Sequence, residues 1–367
     1  MRMRRLATPA GGPGKLRPPA GVHEAARSSV GGRGLSAPRP HLLPTATVME
    51  VRDGPRREMA VSKKRSRKSS KTSVPAFDPR AMEKMLADVG RALSEREFDS
   101  VEEMNAYLNE MMASGQPPPA APCTPLEEAQ NLMYEAWEAK GKSRVRLARK
   151  ALRISPDCAD AYVLLAEETA RSLEEVRDLY EQGVKAGERA LGPEAFKEFE
   201  GDFWGVLETR PYMRARAGLA QVLWFLGERR QAVEHLQDML RLNPDDNQGL
   251  RYLLMGWLLR LNDDQALGKL LRRYKEDYSA EWLYTNALHL YRREGASRKS
   301  SRALRKALEQ NRFVPLYLLG RRKMPKELPE YISFGDESEA ASYAAGSVDA
   351  WRETEGALAW LAEQSDR

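Results

Sequence analysis

A single spacing constrains this chain more than any other feature. Gly227 is followed 34 residues later by Leu261 and, after the same interval, by Gly295. Ala232, Ala266 and Ser300 keep that interval, as do Leu219, Leu253 and Ala287. Leu223, Trp257 and Tyr291 form a fourth series, and Leu236, Leu270 and Leu304 a fifth. A unit of about 34 residues cannot bury an apolar face alone, so such a repeat must stack on copies of itself. Within the unit, apolar residues recur three and four apart, which is helical spacing. In "LGERRQAVEHLQDMLRLNPDDNQG" (226–249) the pattern ends at Pro244, and Asp245 or Asp246 is placed to cap the next helix.

A period of this length with a small residue early in the second helix is the tetratricopeptide pattern. The small residue lets two helices approach, and the large apolar positions pack on the next unit. No stretch carries a strand signal. The expected fold is therefore all-α, a tetratricopeptide-like α-solenoid with a C-terminal helical cap and a disordered N-terminal tail. The boundaries read as a tail over 1–77, a short helical pair over 78–114 and a Pro-rich linker over 115–124. Repeats follow over 125–312, with an insertion at 192–212, and the cap spans 313–367. Asp78-Pro79 and Ser100 with Glu103 mark the starts of the paired helices. In the second of them Val101, Met104, Leu108 and Met111 make an apolar stripe. The insertion is aromatic and longer than an ordinary turn, and is expected to reach over the concave face. In the cap, Phe313, Leu316, Leu318, Leu328 and Tyr331 are expected to lie across the array.

Charge is unevenly placed. Residues 1–75 hold 17 Lys and Arg against 4 Asp and Glu, a net of +13 in a chain whose total is +6, so the remainder is −7. "MAVSKKRSRKSSK" from Met59 reads as the natural start; beginning there removes 11 bases and 4 acids and leaves a net of −1. The run 63–71 could meet phosphates, but it lacks interleaved aromatics for base stacking, and a solvated tail is the plainer reading. Two cysteines, Cys123 and Cys158, exclude a disulfide framework and suit the cytoplasm. No apolar run approaches the ~18 residues of a membrane span.

Nothing in the sequence points to an enzyme, a metal or a cofactor. The four histidines, His23, His41, His235 and His289, have no ligand spacing beside them. What remains is surface. The 34-residue register assigns Arg214, Gln221 and Trp224 to a groove in one unit, Gln248, Arg251 and Met255 in the next, and Trp282, His289 and Arg292 in the third. Arginine grips a carboxylate through two parallel hydrogen bonds, and tryptophan offers rigid apolar area. The expected function is an interaction scaffold binding a protein or peptide segment, acidic in character, with nucleic acid at the basic tail as the alternative partner.

The end of the chain carries a more particular likeness. "ALEQNRFVPLYLLG" (307–320) and "GDESEAASYAAGSVDAWRETEGALAWL" (335–361) resemble the close of the suppressor of tumorigenicity 7 family. The matching positions are Asn311, Val314, Pro315, Tyr317, Leu318 and Leu319, then Gly335, Asp336, Glu339, Ala340 and Tyr343, and finally Trp351 with Glu355, Gly356, Ala357 and Leu358. From about residue 78 onward the chain is also similar to a group of bacterial tetratricopeptide proteins. The resemblance implies a repeat scaffold with a particular terminal cap, and it brings no catalytic residues.

Overall fold

The computed structural model describes residues 79–115, 123–329 and 331–366. The tail over 1–77, its basic run 63–71 and most of the 115–124 linker lie outside them. Among the described residues there is no strand. Two helices lead, α1 (Pro79–Ser94) and α2 (Val101–Ser114). Five helix pairs follow: α3 (Pro125–Glu138) with α4 (Lys142–Ile154), α5 (Ala159–Thr169) with α6 (Leu173–Glu198), α7 (Arg210–Phe225) with α8 (Arg229–Leu242), α9 (Leu250–Arg260) with α10 (Asp264–Arg273), and α11 (Ala280–Glu294) with α12 (Arg298–Gln310). A short α13 (Val314–Leu318) leads into α14 (Glu337–Glu353) and α15 (Ala357–Ser365). The array is a helical-repeat solenoid.

Local chemistry explains where these helices begin. Thr124 and Glu127 form a reciprocal capping box at α3: Thr124 Oγ1 accepts from the Glu127 N–H at 3.2 Å, and Glu127 Oε2 accepts from the Thr124 N–H at 2.7 Å. At α9 it is Asp246 that caps, accepting from the N–H groups of Leu250 (2.7 Å) and Arg251 (3.0 Å). The turns of the α7–α8, α9–α10 and α11–α12 pairs each hold a residue of positive φ. Gly227 (φ 88) and Gly295 (φ 64) supply it, but between them the role falls to Asn262 (φ 54), one residue past the Leu261 of the sequence register. Asparagine tolerates this region where leucine does not.

The close approach of helices is absolute at two glycines. A Cβ on Gly187 would sit 2.8 Å from the Cβ of Tyr212, and one on Gly218 would clash with the Cε1–Cζ edge of the Tyr180 ring. These glycines let α6 lie against α7 with Tyr180 and Tyr212 buried between them.

The insertion does not reach over a groove. α6 breaks at Gly192-Pro193, and the following loop returns to the end of α8, where Leu242 O accepts from the N–H of Gly201 (2.9 Å) and of Phe203 (3.2 Å). Phe203 is fully buried against Phe196 and Tyr212. Burying three aromatic rings outweighs extending them into water.

The C-terminal helices continue the array rather than only closing it. α14 runs parallel to α11: the Ala280 N–H donates to Glu339 Oε1 (2.8 Å) at one end, and Arg292 donates to Thr354 Oγ1 (2.9 Å) and Ala350 O (3.3 Å) at the other. α15 packs on α12, so α14 and α15 stack in the sense of a sixth pair. Residues that carried the family likeness are the joints. Buried Asn311 donates to Asp336 O (2.8 Å) and Glu339 Oε2 (2.9 Å), and Trp351 Nε1 donates to Tyr343 Oη (2.9 Å). Of the residues expected to lie across the array, Leu318 is buried and Phe313 and Leu316 are half-buried, while Leu328 and Tyr331 are exposed.

Candidate peptide-binding site

The nine register positions do not form one open groove. Arg214, Gln248, Met255, Trp282 and His289 are buried within the chain; Gln221, Trp224, Arg251 and Arg292 keep partial exposure. Trp224 stacks on Trp257 at 4.5 Å, with Arg229 over its ring. Trp282 meets Tyr252 and Tyr274 edge-on, and His289 Nδ1 lies 3.4 Å from Asp264 Oδ1. Burial holds the His289 imidazole below its ordinary pKa. Arg292 is covered by the end of α14. α14 packs on the first helices α9 and α11, and α1 packs on α3, which encloses positions that an isolated repeat would leave open.

Around Arg214 the enclosure has a specific chemistry. Arg210 and Arg214 are four apart at the start of α7 and share a face. Arg214 donates Nη1 to Glu83 Oε2 and Nη2 to Glu83 Oε1, both at 3.0 Å. Its Nε donates to Asp160 Oδ1 at 2.8 Å. Arg210 Nη1 reaches Glu83 Oε2 at 3.4 Å, and Tyr134 Oη donates to Glu83 Oε1 at 3.2 Å. Gln130 donates to Asp160 Oδ2 at 2.7 Å. Trp137 walls the site, with Arg80 4.0 Å over its ring and Arg214 at 5.4 Å.

Glu83, Asp160 and Arg214 are each buried. Burial by itself lowers the guanidinium pKa of Arg214, but the Asp160 and Glu83 carboxylates more than offset it and hold the pKa above its ordinary value. Burial, with Glu83 beside it, also raises the Tyr134 phenol. Two guanidiniums thus balance two carboxylates. One carboxylate, Asp160, belongs to the repeats; the other arrives on α1. Without Glu83, the repeats present a surplus positive charge, a tyrosyl donor and an indole wall, chemistry complementary to one carboxylate.

Only Arg214 of this group was marked by the repeat register. Glu83 is an ordinary glutamate in sequence, and α1 turns it inward while Met82, Met85 and Leu86 stay exposed. No periodicity reports that choice. Cys158, at the α5 N-cap, is buried, and its thiol is pushed up to about 12 by burial first and Asp160 second, so it is not a thiolate nucleophile.

A second ionic group surrounds Arg251, which donates to Asp246 Oδ2 (2.9 Å) and Asp277 Oδ2 (3.0 Å). Burial, then Asp277 and Glu339, push the neighbouring Glu281 carboxyl up to about 7 against the opposing pull of Arg251. The folded chain therefore holds a proton that the unfolded chain releases near pH 4.5, and stability falls as pH rises from there to about 7. Glu281→Gln is expected to raise stability at pH 8 by roughly 2 kcal/mol and to change little at pH 4. Melting curves at the two pH values test this; an equal shift at both would remove the ionisation argument.

The chain matches the family model described as "ST7 protein" over residues 122–364, well over half its length. It belongs to the ST7 family. It is 30% identical over 258 residues to the suppressor of tumorigenicity 7 protein-like chains of Homo sapiens and Bos taurus, covering 64% of this chain and 44% and 46% of theirs. To the suppressor of tumorigenicity 7 protein of Macaca fascicularis it is 29% identical over 280 residues, covering 64% of this chain and 52% of that one. The chain thus spans about half the length of these relatives. Among solved structures it is similar to YrrB, a TPR protein with an unusual peptide-binding site, at 20% identity and a TM-score of 0.36, over 50% of this chain and 84% of that one. Among the described residues no helix is long and apolar enough to cross a membrane. The ST7 match spans all five repeat pairs and both joints at Asn311 and Trp351, but it stops short of α1 and Glu83.

Proposed function

We propose that this chain is a non-catalytic protein-interaction scaffold that recognises an acidic segment on the first helices of its repeats. The observation that carries this reading is the grip on Glu83, in which Arg214 makes two parallel hydrogen bonds, reinforced by Arg210 and Tyr134. Bidentate arginine–carboxylate pairing in a desolvated site is how carboxylates are read with geometric selectivity. α1 is the resident occupant, and a partner segment takes its place by presenting a carboxylate with the same flanking contacts. Gln221, Trp224 and Arg251, which keep partial exposure, extend the contact surface along the repeats. Two cysteines, neither in a disulfide, fit a reducing compartment such as the cytoplasm.

The test uses a fluorescent peptide with the sequence of residues 79–94 and the full chain. Glu83→Gln weakens the resident contact, so the variant is expected to bind the peptide about tenfold more tightly than the parent chain. Arg210→Ala in the Glu83→Gln background is expected to remove that gain. Equal binding by all three chains would show that the clamp only holds the fold together.

A further inference from the structure

The last repeats carry a groove separate from the Glu83 clamp, whose lining includes the register positions Trp282 and His289. It lies between α10, α11 and α12, encloses about 300 Å³, and has a floor that includes Trp282, Leu283, Leu290 and Ala303. Its lining carries Arg272, Lys275, Arg293, Lys299 and Lys306 against Asp277, so the rim is mainly cationic. Lys275 and Lys299 have acidic neighbours in Glu276 and Glu294, but Arg272, Arg293 and Lys306 have no carboxylate partner among the described residues. α12 adds to the same field: Arg298, Lys299, Arg302, Arg305 and Lys306 stand against a lone Glu309. Such a groove favours an acidic segment with an apolar stripe.

That description fits one element of the chain itself. α2 carries Glu102, Glu103 and Glu110 and no base. None of its stripe of Val101, Met104, Leu108 and Met111 is fully buried: Val101 is 61% exposed and the other three are half-buried, while Met112 beside the stripe is 80% exposed. Apart from Phe98 and Arg96 against Tyr107, α2 has no extensive packing among the described elements. At 14 residues it is about 21 Å long. The other basic groove, beside Lys142, Arg146, Arg149 and Arg153 of α4, has Val145 as its sole apolar lining residue and cannot seat the stripe.

We propose that α2 of one copy docks in the α10–α12 groove of a second copy. The contact is heterologous, since helix and groove are different surfaces, so copies join head to tail. It depends on opposite charge and weakens with salt.

Sedimentation equilibrium of the full chain at low salt tests it. The parent chain is expected to associate with rising concentration. Reversing the groove (Arg272→Glu with Lys306→Glu) or the helix (Glu102→Lys with Glu110→Lys) is expected to weaken association about tenfold or more. Mixing the two reversed chains is expected to restore it, because each reversed helix then meets a groove of opposite sign. A parent chain that stays monomeric overturns the proposal. So does association that survives either reversal, or a mixture that fails to recover. None of these substitutions touches Glu83, Arg210 or Arg214, so peptide binding at the clamp is scored separately.

Discussion

Replacing Arg214 by methionine is expected to cost about 3–5 kcal/mol, because Glu83 and Asp160 are then left buried without their shared counter-charge. Asp160 keeps only the Gln130 amide, and Glu83 keeps Arg210 and Tyr134 at longer range. The damage should begin locally, since repeat arrays are stabilised by neighbour contacts and open in segments. Amide exchange over Pro79–Ser94 is the first readout, with α1 losing protection while α9 to α12 keep theirs. Thermal melting should fall by about 10 °C, given roughly 2–4 °C per kcal/mol in a chain of this size. A combined Glu83→Leu, Arg214→Met variant should recover part of the loss, since removing both charges of a buried pair costs less than removing one. If the single substitution costs under about 1 kcal/mol, the carboxylates have reached water and the site is not desolvated.

Gly218→Ala is the second large effect. Glycine-to-alanine in a helix interior normally gains about 1 kcal/mol from backbone entropy. Here the added methyl would clash with the ring edge of Tyr180, which is only 3% exposed and packed between α6 and α7. Either the ring leaves its place or the helices separate, and overpacking of this kind costs about 1–3 kcal/mol or more. Gly256→Ala supplies the control, because nothing lies within 4 Å of its added Cβ and it sits inside α9. Chemical denaturation of the two variants should give shifts of opposite sign. Matching shifts would mean that helix propensity, not the Tyr180 contact, decides at Gly218.

The helices were legible because helical periodicity and capping are local. The capping spacing of Ser100 with Glu103, the stop at Pro244 and the small residues Ala232 and Ser300 act within a few positions of where they are read. The turn at Asn262 was less legible, since any residue tolerant of left-handed backbone serves there and the strict interval points to Leu261. At the α2 start, Glu103 accepts from the Asp99 N–H (2.8 Å) rather than from Ser100, a shift of one residue that spacing alone does not resolve.

The site was legible only in part. Arginine in the repeat register marked Arg214, and its taste for carboxylates was foreseeable. Its partner was not, because Glu83 lies 131 residues away and nothing local distinguishes it from the other glutamates of the chain. Burial of Met255, Trp282 and His289 was equally hidden. A repeat register tells which side of a helix a residue occupies, but not whether another helix later covers that side.

The sequence by itself determined the helical class, the repeat length and the starts of several helices, since each depends on contacts between near neighbours along one helix. Tertiary structure alone decided that α1 turns Glu83 inward, that the 192–212 insertion folds back on Leu242, and that α14 extends the array beside α11. Those outcomes rest on pairings between distant segments, where the gain from burying charge against charge or ring against ring competes with solvation. Which pairing wins depends on every surface brought together at once.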